Sequence, residues 1–412
     1  MMIFSLLIPF LLTAPDKPAP RTSQTAPPLQ WTFETVEGAT LEGEILSIDN
    51  ARRVTLRVEG AERTIPLDDL TRIARMADAD SPREDLDANC TIHLSDGGVL
   101  EAKLLEGAAG KIMVDIGIDR AVTLSISGLA GIRFNTVSQG TALSEFSARL
   151  KQPEKGRDLL LADRDGGTVV LPGVLELLTS ESWSFRIGSK IQTGALDRAF
   201  GIILGGVSAA STSGKVRIRL DDRREFSADI IAADPTSVDL DAGPLGRLSV
   251  AWRTIRGIDV RSERVVFLSD LEPVDIIQYS VIDASWPPRK DRSVTGSPLI
   301  VDGRMYERGL GVHATTRMTY ALNGAYASFV STIGIDDAAG PRGRAVFRVI
   351  CDGRVAYESS PVGPGIAAAV RVPTDGVNQL ILECDPGPDL DISDHCDWAG
   401  ARLIRAKRTD MR

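Results

Sequence analysis

The sequence predicts an all-β protein: four small barrels of the SH3 or Sm type, followed by a C-terminal third of different character. Three observations predict it. A plan of four or five short strands recurs from Trp31, Thr91, Leu159 and Val216. The 412 residues include 38 Gly and 22 Pro, which punctuate the chain too often for long helices. Apolar and polar residues alternate, as in Thr40-Leu41-Glu42-Gly43-Glu44-Ile45, which is the period of a half-buried strand.

At ~100–200 residues per domain, the length allows several units, each able to bury a core. Lys plus Arg is 47 and Asp plus Glu is 56, for a net charge of −9. That balance excludes nucleic acid and anionic membrane as main partners, because phosphate binding is driven by clustered cations. Three histidines and four cysteines (Cys90, Cys351, Cys384, Cys396) exclude a multi-zinc protein and a disulfide-dense scaffold.

Residues 1–30 read as a signal peptide and linker. Met1–Leu12 is an apolar run of h-region length, followed by a Pro/Thr/Ser stretch to Pro28. It is too short to span a bilayer, which takes ~20 helical residues, and no other stretch approaches that length. Export to the periplasm, the cell surface or the medium is therefore expected.

The repeats occupy residues 31–76, 90–135, 158–205 and 215–262. In the first, a strand from Trp31 is followed by a Gly turn, an alternating strand to Ile48, and a turn at Asp49-Asn50. Val54–Val58, the turn at Gly60, and Thr64–Pro66 come next, and Leu70–Ile73 closes the unit. Leu129/Ile132 and Ile255/Ile258 hold the same closing position later in the chain. A sheet with one apolar face must curl on itself or pack on another sheet, and five short strands with tight turns suit a small, strongly bent barrel. Linkers fall at Ala77–Asn89, Thr136–Arg157 and Gly205–Gly214, and the second of these carries a helical spacing in Leu143, Phe146 and Leu150.

No catalytic constellation appears in these repeats. HExxH, paired CxxC, GxSxG and a P-loop are all missing. His93 alternates with Ile92 and Leu94 and is expected to face solvent, while Asp68-Asp69 and Asp221-Asp222 read as turn formers.

From Val265 the aromatics become denser. Tyr306–Ala314 (YERGLGVHA), Tyr320-Ala321-Leu322, Val330–Asp337 (VSTIGIDD), Val346–Gly353 (VFRVICDG) and Asp394–Leu403 (DHCDWAGARL) follow in order. Together they resemble the carbohydrate-binding module family of glycoside hydrolase family 98 enzymes, over about residues 264–406. Cys396 departs from that pattern, where the family favours Ala. The tandem organisation also looks like that of proteins from planctomycete-type bacteria. The resemblance implies a galactose-binding-like β-sandwich of the jelly-roll type. It further implies a non-catalytic module that binds sugars, or at times protein or lipid, through loops at one end, and one that often carries structural calcium.

A sugar site needs an aromatic plane and a few fixed donors and acceptors. Tyr306, Glu307, Arg308, His313, His395 and Trp398 are the right types, and Gly309 and Gly311 would let the backbone approach closely. For His313 and Trp398 a place in the core is the competing reading. Asp336, Asp337, Asp394 and Asp397 are the candidate calcium ligands, with Asp385, Asp389 and Asp391 crowded in the same loop as Asp394. An EF-hand fails, since position six from Asp385 is Leu390 and position twelve is Cys396. Cys384 and Cys396 flank that loop, where a disulfide would close it. The expected function is glycan binding by a non-enzymatic protein. The alternative is a structural or scaffold protein of the cell envelope whose β modules, the barrel repeats included, meet protein partners.

Overall fold

The structure, a computed structural model, describes residues 28–76, 86–108, 110–135, 140–154, 156–164, 167–205, 215–279, 286–386 and 393–406. The signal-peptide reading, most of the acidic linker and the Ser/Gly/Ala linker fall outside the described residues.

In the first repeat β1 (Trp31–Thr35), β2 (Thr40–Ile48), β3 (Arg53–Val58) and β4 (Ala61–Pro66) form an antiparallel meander. A 3-10 turn then leads into β5 (Leu70–Arg75), which returns to pair with β1. The second repeat follows the same path with β6 (Cys90–Leu94), β7 (Val99–Ala108), β8 (Lys111–Asp115), β9 (Val122–Ser125) and β10 (Leu129–Phe134). After α1 (Gly140–Lys151), the third uses β11 (Asp158–Arg164), β12 (Gly167–Leu178), β13 (Ser182–Ile187), β14 (Lys190–Ala195) and β15 (Ala199–Ile203). The fourth uses β16 (Val216–Arg219), β17 (Arg224–Ala233), β18 (Ser237–Asp241), β19 (Arg247–Ala251) and β20 (Gly257–Val260).

One device bends all four units. Each second strand carries a register shift at its middle, between Ile45 and Ser47, Leu104 and Glu106, Leu175 and Leu177, and Ile230 and Ala232. A bulge kinks a strand and sharpens its twist, so the first half pairs one way and the second half turns to meet the third strand. The apolar face is thereby folded inward, and Leu70, Ile73, Leu129, Ile132, Ile202, Ile255 and Ile258 of the closing segments are fully buried.

The units also pair with one another. Ile73 of β5 lies opposite Ile258 of β20, Ile132 of β10 opposite Ile202 of β15, and Leu100 of β7 opposite Arg224 of β17. Where β7 meets the end of β12, Gly107 is packed so tightly that a Cβ there would sit 1.5 Å from the Leu178 carbonyl oxygen.

The expectation for His93 is corrected here. Its side chain does leave the apolar interior of the second repeat, but α1 lies on that face. Phe146 of α1 is 1% exposed among Phe200, Leu159 and Leu161, and its ring centroid is 5.6 Å from that of His93. The helical spacing in the linker signals the cover, and the alternation in β6 alone does not. Burial, then the Arg133 charge, pulls the His93 imidazole down to about 4.

The C-terminal region contains β21 (Val265–Phe267), β22 (Asp275–Gln278), β23 (Arg289–Lys290), β24 (Leu299–Val301), β25 (Arg304–Tyr306), β26 (Gly309–His313) and β27 (Thr316–Ala321). It continues with β28 (Ser328–Ile335), β29 (Ala345–Cys351), β30 (Arg354–Glu358), β31 (Ala368–Pro373), β32 (Gln379–Pro386) and β33 (His395–Ile404). One sheet has the order β23-β26-β33-β28-β31, with β21 also on β33; the other runs β22-β27-β32-β29-β30, and β24 and β25 form a hairpin. The two sheets enclose one apolar core, in which Phe347 meets Trp398 edge-on with centroids 5.2 Å apart and Phe329 lies 6.1 Å away.

This sandwich is seated on the first repeat. Val36, Val330 and Ile404 share a small buried cluster. Arg402, 6% exposed, donates from Nε to the Val36 carbonyl at 3.0 Å, and its guanidinium lies 3.8 Å from Glu34. Arg264 pairs with Asp69, and Arg304 with Glu34 at 2.7 Å. Among the described residues no helix is long and apolar enough to cross a membrane.

Candidate functional site

Antiparallel pairing of β26 with β33 sets His313 directly opposite His395, with ring centroids 5.6 Å apart. The chain then turns at residues 314–315 and enters β27 in the other sheet, so the two histidines mark one end of the sandwich. Trp286 covers them. Its ring is stacked on His313 at 5.5 Å and 11° and lies 5.5 Å from His395. Burial, then the neighbouring His313, pulls His395 below the usual imidazole range, with Asp336 opposing. No hydrogen-bond partner meets its buried Nδ1.

Gln278 ties this stack to a cleft. Its Nε2 donates to the Trp286 carbonyl at 2.7 Å and to Thr316 Oγ1 at 3.0 Å. The cleft, about 330 Å³, is lined by Ile277, Tyr279, Thr315, Arg317, Glu383 and Asp385, together with the buried Thr316. Tyr279 is 71% exposed. The acidic side chains are largely neutralised: Arg348 pairs with Asp385 and lies 2.9 Å from Glu383, and Arg317 approaches Glu383 at 3.7 Å. The rim thus offers hydroxyls and paired charges beside two aromatic rings, a set that can hold a polar ring by stacking and hydrogen bonds.

Of the six expected ligand residues, the structure brings together His313 and His395. Tyr306, Glu307 and Arg308 stand at the opposite end of β26; at ~3.3 Å per residue, Arg308 and His313 are ~16 Å apart along the strand. Glu307 pairs at 2.8 Å with Arg219 of the fourth repeat. Arg308 pairs with Asp270 and Asp291 and covers the Phe267 ring at 4.8 Å. The half-buried Tyr306 ring lies under the Arg304 guanidinium at 4.9 Å. Trp398 is 1% exposed and belongs to the core, because on the central strand β33 its ring faces the other sheet and meets Phe347. Sequence reasoning missed Trp286 and Tyr279. The signal was an aromatic followed by Pro287-Pro288 in a loop, where neither regular pairing nor burial is expected.

Of the four carboxylates expected to hold calcium, Asp336 and Asp397 lie side by side, and the other contacts are to backbone amides. Asp336 accepts from Ala338 N at 3.0 Å, and Asp337 accepts from Asp302 N and Gly303 N at 3.1 and 2.8 Å. Asp394 accepts from Arg344 N at 2.6 Å. Burial, then the charge of Asp336, holds the Asp397 carboxyl well above the usual range, which favours its neutral form. Among the described residues no three His, Cys, Asp or Glu side chains form a metal-binding group. Asp389 and Asp391 lie outside the described residues.

Comparison with known proteins gives a family for this region. Residues 264–404 match the NPCBM/NEW2 domain. A Renibacterium salmoninarum protein with the provisional name endo-alpha-N-acetylgalactosaminidase is 29% identical over 198 residues, 47% of this chain and 13% of that protein. Alpha-1,3-galactosidase B of Akkermansia muciniphila is 32% identical over 115 residues, 27% of this chain and 14% of that enzyme. The chain therefore spans about a seventh of the length of these curated relatives. Among solved structures, the CBM51 module of Clostridium perfringens GH95, in complex with methyl-galactose, is 27% identical. It covers 34% of this chain and 99% of that one, with a TM-score of 0.32.

Proposed function

Taking residues 264–404 as an NPCBM/NEW2 domain, we propose that the chain is a non-catalytic carbohydrate-binding protein. Its glycan is held by loops at the His313 end of the C-terminal sandwich. The observation that carries this reading is the Trp286–His313 stack beside the cleft edged by Tyr279. A pyranose offers an apolar ring face and a rim of hydroxyls. The exposed Tyr279 ring and the half-buried Trp286 ring match the first, and the hydroxyl of Thr315 with the carboxylates of Glu383 and Asp385 match the second.

The reading extends to the whole chain. The repeats at 31–76, 90–135, 158–205 and 215–262 are small barrels of SH3 or Sm type, supported by their shared pairing order and bulge. They precede a galactose-binding-like sandwich at 264–406 and serve as its rigid base in an exported protein. A structural role in the cell envelope is the second reading. It is favoured by the Tyr306–Arg308 end of the module, where Glu307 is already spent on Arg219 of the fourth repeat.

The test is a glycan array probed with the full chain and with Trp286→Ala and Tyr279→Ala. Specific retention that both substitutions remove, in folded protein, supports the sugar site. No retention by folded wild-type protein moves the assignment to the scaffold role.

A further inference from the structure

Two cysteines stand on opposite walls of the sandwich, and no part of the proposed sugar site uses them. Cys384 lies on β32, opposite Thr316 of β27 and Phe347 of β29. Cys396 lies on β33 in the other sheet, opposite Val312 of β26 and Ile335 of β28. The partners of the two cysteines are close in the chain. Val312 and Thr316 are the flanks of the turn by which β26 passes into β27, from one sheet to the other. The turn thus holds the strand partners of the two cysteines four residues apart in the chain. Both side chains are fully buried in the same core as free thiols, the Cys396 thiol lying beside Cys384 and 3.4 Å from the Asp394 carbonyl.

We propose that Cys384 and Cys396 form a disulfide across the two sheets when the chain folds in an oxidising compartment. The oxidant is a disulfide of another thiol compound, a protein disulfide or glutathione disulfide. One cysteine thiolate attacks it, forming a mixed disulfide and releasing one thiol. The second cysteine thiolate then attacks the mixed disulfide, forming the Cys384–Cys396 bond and releasing the second thiol. Two cysteine S–H bonds are lost and one S–S bond forms, while the oxidant is reduced to two thiols.

The placement explains why exchange belongs to folding and not to the finished protein. Once the core closes, neither sulfur is reachable, and burial raises the Cys396 thiol far above its usual range, so little thiolate exists. A bond made before closure is shielded from reductants afterwards. Its effect on the proposed site is direct, because the loop it closes begins beside Asp385 of the cleft and ends beside His395 of the ring stack. The other two cysteines offer no competing pair: Cys90 is buried in the second repeat, and Cys351 lies at the far end of β29 from Phe347.

The full chain is refolded from denaturant in mixed reduced and oxidised glutathione, and separately in dithiothreitol. Each sample is then denatured and alkylated with N-ethylmaleimide. The expected result is two labelled thiols, Cys90 and Cys351, after oxidative refolding and four after reductive refolding. Peptide mapping without reduction then recovers one fragment pair joined through Cys384 and Cys396. Four labelled thiols in both samples, or a bond to Cys90 or Cys351, overturns the proposal. The Cys396→Ala variant, checked for native circular dichroism, keeps three labelled thiols under both conditions. Should that variant misfold, the wild-type count and map decide alone.

Discussion

Trp286 and His313 lie face to face, their ring planes 11° from parallel and their centroids 5.5 Å apart. The tryptophan comes from a loop and the histidine from a paired strand, so the strand residue positions the loop residue. Trp286→Ala is expected to weaken glycan binding by roughly 5- to 150-fold. The loss corresponds to an aromatic platform worth ~1–3 kcal/mol. Titration calorimetry with the best array ligand measures it. An unchanged Kd in folded protein removes Trp286 from the site.

Trp398 should behave in the opposite way. It fills the core between Phe347 and Phe329, so Trp398→Ala leaves a cavity and costs ~3–5 kcal/mol of stability. Denaturant unfolding reads the loss directly. A variant of native stability that no longer bound glycan would restore this residue to the ligand site.

His93 gives the repeats a pH signature. Its folded-state value of about 4 lies below that of an unfolded imidazole, near 6.5. Between those values the unfolded chain binds the proton and the folded chain does not. Stability is therefore intact above pH 6.5 and falls as pH drops towards 4, by roughly 2–3 kcal/mol for a group this buried. His93→Phe, which keeps a ring against Phe146, is expected to lose that share of the decline. Unfolding free energies of the two proteins at pH 7 and pH 4.5 supply the comparison, and parallel declines would refute the assignment.

Gly107 is a test of how tightly the second and third repeats meet. A Cβ there would overlap the Leu178 carbonyl, which is backbone and cannot swing aside. Gly107→Ala should cost ~1–3 kcal/mol or more, through displaced strands. A melting temperature within one degree of wild type would show that β7 and the end of β12 do not meet as closely as described.

Arg402 links the last strand to the first repeat. Arg402→Ala removes the donor to the Val36 carbonyl and leaves buried polar atoms unmatched, at a cost of ~1–3 kcal/mol. Because the contact joins two units, limited proteolysis should then cut between residues 260 and 264 faster than in wild type. Equal cutting rates would mean that the cluster of Val36, Val330 and Ile404 suffices to hold the units together.

Much of this architecture was legible in the chain. The closing positions Leu70/Ile73, Leu129/Ile132 and Ile255/Ile258 are buried as their spacing predicts, and the five ordered motifs of the C-terminal third fall within the matched domain. The third repeat was harder to read, because Ala199 and Ile202 replace the Leu-x-x-Ile pattern with a smaller side chain. The candidate site was only half legible. His313 and His395 are read from strands, where register follows from the sequence pattern. Glu307, Arg308 and Tyr306 adjoin His313 in sequence, yet an extended strand carries neighbours apart, and their surroundings come from Arg219, Asp270 and Arg304. Trp286 and Tyr279 were missed because no periodicity governs a loop.

The pairing of Ile73 with Ile258 has a consequence for synthesis. As the chain leaves the ribosome, the second and third repeats can join as soon as β15 emerges, since the paired Gly131 and Ile203 are 72 residues apart, against 185 for Ile73 and Ile258. The first repeat has no such early partner. The outer edge of β5 stays open until the fourth repeat has been made, and an open edge is a template for pairing with other chains. The nascent protein is thus most vulnerable to aggregation between the appearance of residue 75 and that of residue 257, and a chaperone that shields strand edges would act in that window.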